Sequence, residues 1–220
     1  MPPAIDRRER LRATRLYLIV TLGPSADQWL APVSAALASG CIGMVQLRAV
    51  GSSESGIRGQ VGRLRPLCTA YGALLLLNDL PRLAAELDLD GAHVGQGDLA
   101  PAAARALLGP ERLLGLSTHD ETEIEAARAA PLDYLGLGPC FPTASKALAL
   151  PPGGAALVAR CHAAAADRPL FPIGGISPSN AALLAGAGAH RLAVGAGILA
   201  AKDPAAAARH LDEALPVVQV

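Results

Sequence analysis

The chain has 220 residues, 51% hydrophobic but only 3% aromatic, and its 19 basic side chains balance 19 acidic ones. That balance gives no sign of a nucleic-acid footprint or a polybasic membrane patch. The length suits one α/β domain whose core is made of Ala, Leu, Val and Ile.

The first fourteen residues carry Arg7, Arg8, Arg10 and Arg12 around Glu9 and read as a polar extension or solvated helix on a single domain spanning 1–220. No apolar run of signal-peptide type precedes a small-residue cleavage site. Cys41, Cys68, Cys140 and Cys161 are widely spaced, with no CxxC pair, so free thiols in a reducing cytoplasm are expected. Ala181–Ala201 is the least polar segment, yet it contains His190, Arg191 and four glycines, which fits a helix, a turn and a buried strand rather than a membrane span.

Eight short, almost wholly apolar runs are predicted as strands: Leu16–Val20, Met44–Leu47, Leu74–Leu77, Ala92–Val94, Leu113–Leu116, Tyr134–Leu137, Leu170–Ile173 and Leu192–Val194. Helical spacing separates them, over Asp27–Ala38, Glu54–Tyr71, Pro81–Leu87, Pro101–Leu108, Glu121–Ala130, Gly154–Ala166, Asn180–Ala185 and Pro204–Leu215. Eight strands alternating with eight helices predict a compact (β/α)8 TIM barrel. An open doubly wound sheet is the alternative, since six or seven such units also build one.

Catalytic groups of a barrel collect at the C-terminal ends of its strands. The second strand ends in Gln46-Leu47-Arg48, whose alternation sends Gln46 and Arg48 to the same side; the plainer reading is an Arg paired with a carboxylate. Asn78-Asp79 follows the third strand, and Gly95-Gln96-Gly97-Asp98 the fourth. Either aspartate alone reads as a helix cap, whereas two on neighbouring strand ends suit one Mg²⁺ completed by water and substrate phosphate. Ser117-Thr118-His119 follows the fifth strand; Ser117 is a candidate donor, and His119 is either packed or solvent-facing. The sixth strand leads to Thr143, Ser145 and Lys146, two hydroxyls and an ammonium suited to a phosphate or diphosphate, or else an ordinary polar loop. Gly174-Gly175 and Gly195-Ala196-Gly197 then form either a phosphate cradle or two tight turns.

In these stretches the chain resembles the thiamine phosphate synthase family, over about Leu16 to Leu215. The resemblance is carried by Gln46-Leu47-Arg48, Asn78-Asp79, the run Gly91 to Leu99, Gly115 to His119, Gly136 to Pro139, Pro142-Thr143-Ala144-Ser145-Lys146 and Ile173 to Ile176. It implies a transferase of thiamine biosynthesis that joins an aminomethylpyrimidine diphosphate to hydroxyethylthiazole phosphate and releases diphosphate. It implies Mg²⁺ on Asp79 and Asp98, and the pyrimidine diphosphate on Gln46, Arg48, Asn78, Ser117 and Lys146. The thiazole phosphate would lie on Thr143, Ser145 and backbone amides near Gly175 and Gly195-Ala196. Arg48, Ser117 and Lys146 are the catalytic candidates; on this resemblance Arg48 and Lys146 would stabilise the charge building on the departing diphosphate.

Four residues at three places depart from the family pattern. Ala49-Val50 stands where Glu-Lys is usual, Leu80 where Arg is usual, and Ala196 where Ser often supports the thiazole phosphate. Two cations are thereby lost on the diphosphate side. A metal-independent thiazole tautomerase using His119, or a barrel that binds phosphorylated ligands without catalysis, are the other readings. Ala-rich outer helices leave room for a homo-oligomer.

Overall fold

The computed structural model describes residues 6–23, 28–143, 151–165 and 168–216. Eight parallel strands form one sheet, β1 (Leu16–Leu22), β2 (Ile42–Ala49), β3 (Leu74–Asn78), β4 (Gly91–Val94), β5 (Leu113–Thr118), β6 (Tyr134–Leu137), β7 (Leu170–Pro172) and β8 (Leu192–Val194). Consecutive strands are neighbours, β1 also pairs with β8, and a parallel bridge between Ile173 and Ala193 joins β7 to β8. The sheet therefore closes, and the (β/α)8 expectation holds; an open doubly wound sheet would leave two edges.

Ten helices lie among the described residues: α1 (Arg7–Ala13), α2 (Leu30–Leu37), α3 (Glu54–Ala70), α4 (Pro81–Glu86), α5 (Pro101–Leu108), α6 (Glu121–Ala127), α7 (Gly154–Ala164), α8 (Ala181–Gly186), α9 (Ala196–Leu199) and α10 (Pro204–Glu213). Several starts are fixed by side chains that accept from orphan amides: Ser53 from Gly56, Asp120 from Glu123 and Asp203 from Ala206. Helix α9 falls within the last glycine turn, where no helix is predicted from sequence.

Alternation along each strand divides the buried side chains into two sets. Leu16, Leu18, Val20, Val45, Leu47, Leu75 and Leu77 face the helices. Tyr17, Ile19, Met44, Leu74, Leu76, Leu113, Tyr134, Phe171 and Ala193 fill the barrel. Three of the chain's six aromatic side chains therefore meet on the barrel axis. Tyr17, Tyr134 and Phe171 pack edge to face, with centroids 5.5 to 5.7 Å apart, and each such pair contributes about 0.5–1.5 kcal/mol beyond area burial. Gly115 makes room for them, since a Cβ there would run into the Tyr134 ring.

The Arg-rich head is a docked helix, not a solvated one. Leu11 of α1 is buried in the barrel-filling set and plugs the N-terminal end. Its arginines hold the carboxylates that precede the strands. Arg7 Nε donates to Asp90 at 3.0 Å and Arg8 Nε to Asp133 at 2.8 Å. Asp133 also accepts from Arg105 at 2.5 Å and from the Leu114 amide at 2.8 Å.

Candidate active site

At the other end, a cavity of about 130 Å³ enters the barrel and is lined by Gln46, Arg48, Asn78, Ser117, His119 and Thr143. Beside it, a cavity of about 360 Å³ covers the ends of β7 and β8, with Thr143, Gly175, Gly195 and Ala196 in its wall. Thr143, Ile19, Thr21, Ile173 and Gly174 line both, so the two compartments adjoin. A larger cavity, about 680 Å³, opens at the N-terminal end around Arg12, His162, Arg168 and His190 and holds none of the candidate site residues.

The alternation expected of β2 is seen: Gln46 and Arg48 line the same cavity, and Leu47 between them packs outward. Gln46 is 4% exposed. Its Nε2 donates to the Tyr17 hydroxyl at 2.5 Å, which removes the cost of burying an unpaired amide. Ser117 sits at the end of β5, with its Oγ 2.9 Å from His93 Nε2. His119 has its Nδ1 2.9 Å from the Glu123 carboxylate, which also accepts from the His119 amide.

Thr143 is positioned by a clamp between two strand ends. The Cys140 amide donates to Ile173 O at 2.8 Å and the Phe141 amide to Gly174 O at 2.9 Å. Gly175, at φ +62°, lets that clamp close, because a Cβ there would meet Phe141 and the Pro142 carbonyl. Ser145 and Lys146 lie outside the described residues.

Neither aspartate caps the helix that follows it, contrary to the plainer reading of the sequence. The cap positions of α4 and α5 are Leu80 and Ala100, and neither makes a side-chain capping bond. Asp79 adopts φ +62°, with its amide donating to His93 O at 2.8 Å. The opposite end of the barrel also has a left-handed aspartate, Asp88 at φ +49°, so this backbone conformation does not by itself mark function. Asp98 Oδ2 accepts from the Gly95 amide at 2.7 Å, which folds the turn after β4. Among the described residues no group of three or more His, Cys, Asp or Glu is placed to hold a metal. Two carboxylates on adjoining strand ends are nonetheless a hard oxygen donor set, which suits Mg²⁺ when substrate oxygens and water complete the shell.

Val50 and Leu80 are both exposed, and together with Arg48, Asn78 and Asp79 they line a further cavity of about 340 Å³. Apolar side chains thus stand where the resemblance implies charge.

Sequence reasoning passed over a polar line through the barrel. Tyr17 Oη lies 2.9 Å from Tyr134 Oη, which lies 3.0 Å from His93 Nδ1. Together with the contacts of Gln46 and Ser117, this makes an unbroken series of hydrogen bonds. Burial pushes both phenols well above their ordinary range, so both stay protonated. The available signal was the inward phase of Tyr17, Gln46, His93 and Tyr134 on four otherwise apolar strands.

A family model described as thiamine monophosphate synthase matches residues 16–198. A thiamine-phosphate synthase of Synechococcus sp. (strain CC9605) is 42% identical over 205 residues, covering 93% of this chain and 56% of the relative. One from Prochlorococcus marinus (strain MIT 9303) is 43% identical over 211 residues, covering 95% and 59%. The chain thus spans little more than half the length of these relatives. Among solved structures, a thiamine phosphate pyrophosphorylase from Pyrococcus furiosus superimposes with a TM-score of 0.80 at 26% identity, covering 94% of this chain and 96% of that one.

Proposed function

The chain belongs to the thiamine monophosphate synthase family, and from that premise we propose that it is a transferase making thiamine phosphate from a pyrimidine diphosphate and a thiazole phosphate. The observation that carries this reading is the pair of adjoining compartments meeting at Thr143, one edged by Arg48, Asn78 and Ser117 and the other by glycine turns. A reaction between two phosphorylated partners needs two anion sites that share a wall.

The pyrimidine diphosphate binds in the first compartment, against Gln46, Arg48, Asn78 and Ser117, with Lys146 added on the strength of the sequence. The thiazole phosphate binds in the second, against Thr143, Ser145 and the backbone around Gly175 and Gly195-Ala196. Asp79 and Asp98 hold Mg²⁺, which when bound supplies positive charge to the diphosphate. The bond between the pyrimidine methylene carbon and the diphosphate oxygen breaks, and its electron pair leaves with diphosphate. Arg48 and Lys146 stabilise that growing charge, and Ser117 donates a hydrogen bond to it. The exocyclic amine of the pyrimidine delocalises the cation left behind. The thiazole nitrogen then gives its lone pair to the methylene carbon, forming the new C–N bond. No protein nucleophile and no net proton transfer are required, so catalysis is positioning and electrostatics.

The test is to incubate the purified chain with both substrates and Mg²⁺ and to quantify thiamine phosphate. Product forming at a rate proportional to protein is expected. Product no faster than in protein-free controls overturns the proposal.

A further inference from the structure

The polar line through the barrel has a direction. Its members come from five strands: Gln46 on β2, Tyr17 on β1, Tyr134 on β6, His93 on β4 and Ser117 on β5. Both of its ends, together with Tyr17 and His93, line the inner cavity, so it runs beneath the compartment assigned above to the pyrimidine diphosphate. Satisfying a buried phenol needs only one partner. Leu or Phe in these places would have filled the barrel without any polar group to satisfy.

A phenol has one proton to donate, and a neutral imidazole has one N–H. Only two proton arrangements therefore use each of these four contacts, place one proton in each gap and leave neither buried phenol proton without an acceptor. In the first, Gln46 Nε2 donates to Tyr17, Tyr17 to Tyr134, Tyr134 to His93 Nδ1, and His93 Nε2–H to Ser117 Oγ. The Ser117 proton is then left to point into the cavity. In the second, every bond is reversed: Ser117 uses its proton on His93 Nε2 and offers the cavity only lone pairs. The Gln46 amide, with Nε2 2.5 Å from Tyr17 Oη, starts the first arrangement. The edge-to-face aromatic packing and the gap at Gly115 keep the hydroxyls in line.

We propose that Tyr17, Tyr134 and His93 are positioning residues that hold Ser117 as a hydrogen-bond donor toward the departing diphosphate. The inference rests on the proposed function for the identity of the acceptor. The direction of the line does not depend on it. A lone pair facing a polyanion would repel it, whereas a preset donor needs no reorientation as charge develops. Tyr134 is the indispensable joint. Without it His93 Nδ1 loses the hydroxyl that, in the first arrangement, fixes the ring proton on Nε2.

The experiment is nitrogen NMR of the histidine-labelled full chain at neutral pH, with the His93 signals assigned by their loss in His93→Gln. A protonated Nε2 and a bare Nδ1 are expected in the wild type. A proton on Nδ1 with Nε2 bare, or a doubly protonated ring, overturns the proposal without any variant having to fold. In the assay for thiamine phosphate, Tyr134→Phe is expected to lower kcat about 10-fold with KM for both substrates little changed. Tyr17→Phe, which leaves Tyr134 able to donate to His93, should cost about 3-fold or less. His93→Gln, which keeps an amide N–H within reach of Ser117, should retain far more activity than His93→Leu. Equal losses in His93→Gln and His93→Leu, or an unchanged kcat in Tyr134→Phe, also count against it. Absence of product from the wild type defeats the proposed function, and the NMR result then still decides the direction of the line.

Discussion

The two ends of the barrel use the same residue types for opposite purposes. At the N-terminal end, Asp90 and Asp133 stand just before their strands, and each is matched by arginine at 3.0 Å or less. They also accept from the strand amides of Leu75 and Leu114, so their charge is used to seat α1 and start the sheet. At the C-terminal end, Asp79 and Asp98 stand just past their strands and do not cap the helices that follow. There, Arg48 and the polar side chains Gln46, Asn78 and Ser117 line cavities. The difference teaches that charge before a strand is structural here, while after the strands Arg48 and Asp79 line cavities. Substitutions at the two ends should therefore fail in different assays.

The largest effect is expected from Asp98→Asn. This variant keeps an acceptor for the Gly95 amide but removes the negative charge, and its turnover should fall about 100-fold with melting temperature unchanged. Turnover and thermal unfolding measured on one preparation check this, and a stability loss without a kinetic loss would erase the contrast. Arg48→Ala should lower kcat/KM for the pyrimidine diphosphate about 30-fold, the scale of one charged hydrogen bond, and should leave the thiazole phosphate KM nearly unchanged. Conversely, Asp133→Ala removes a partner of two arginines and one amide, so unfolding free energy should drop by about 2 kcal/mol while kcat stays within error. Denaturant titration beside a steady-state assay decides it.

How far the sequence disclosed this contrast differs from place to place. The barrel was legible because strands such as Leu74–Leu77 are apolar on both faces and helices such as Pro101–Leu108 start on Pro and end at Gly. The helix caps expected at Asp79 and Asp98 were not legible, because a Pro-started helix needs no side-chain cap and the backbone at Leu80 and Ala100 suffices. Composition also misled at the Arg-rich head, where α1 docks through buried Leu11 and through Arg7 and Arg8 on Asp90 and Asp133. The line from Gln46 to Ser117 escaped because local pattern gives the phase of a strand but not which side chains meet across a closed barrel. Of the loop after β6, the structure describes Thr143, and the roles of Ser145 and Lys146 rest on the sequence.

Two smaller effects sharpen the comparison. Val50→Lys, which returns a cation to the exposed apolar wall beside Arg48, should raise kcat/KM for the diphosphate about 3-fold at low salt and less at high salt. Alkaline titration probes the barrel interior. Tyr17 and Tyr134 hold their protons above the ordinary tyrosine pKa, so the folded state retains protons that the unfolded state releases. Their contribution to stability is full below about pH 10 and is lost as pH rises beyond it. Their tyrosinate absorbance should therefore appear only with unfolding, and a reversible rise in the folded protein from these two phenols would contradict their burial.

The most direct test of the division between the ends is diphosphate release from the two substrates across a Mg²⁺ titration, with Asp133→Ala and Asp98→Asn run beside the wild type. The predicted result is Mg²⁺-dependent release by the wild type and Asp133→Ala at matching turnover, with Asp98→Asn far slower and shifted to higher Mg²⁺. No Mg²⁺-dependent release above the protein-free control, or wild-type kinetics in Asp98→Asn, would contradict it.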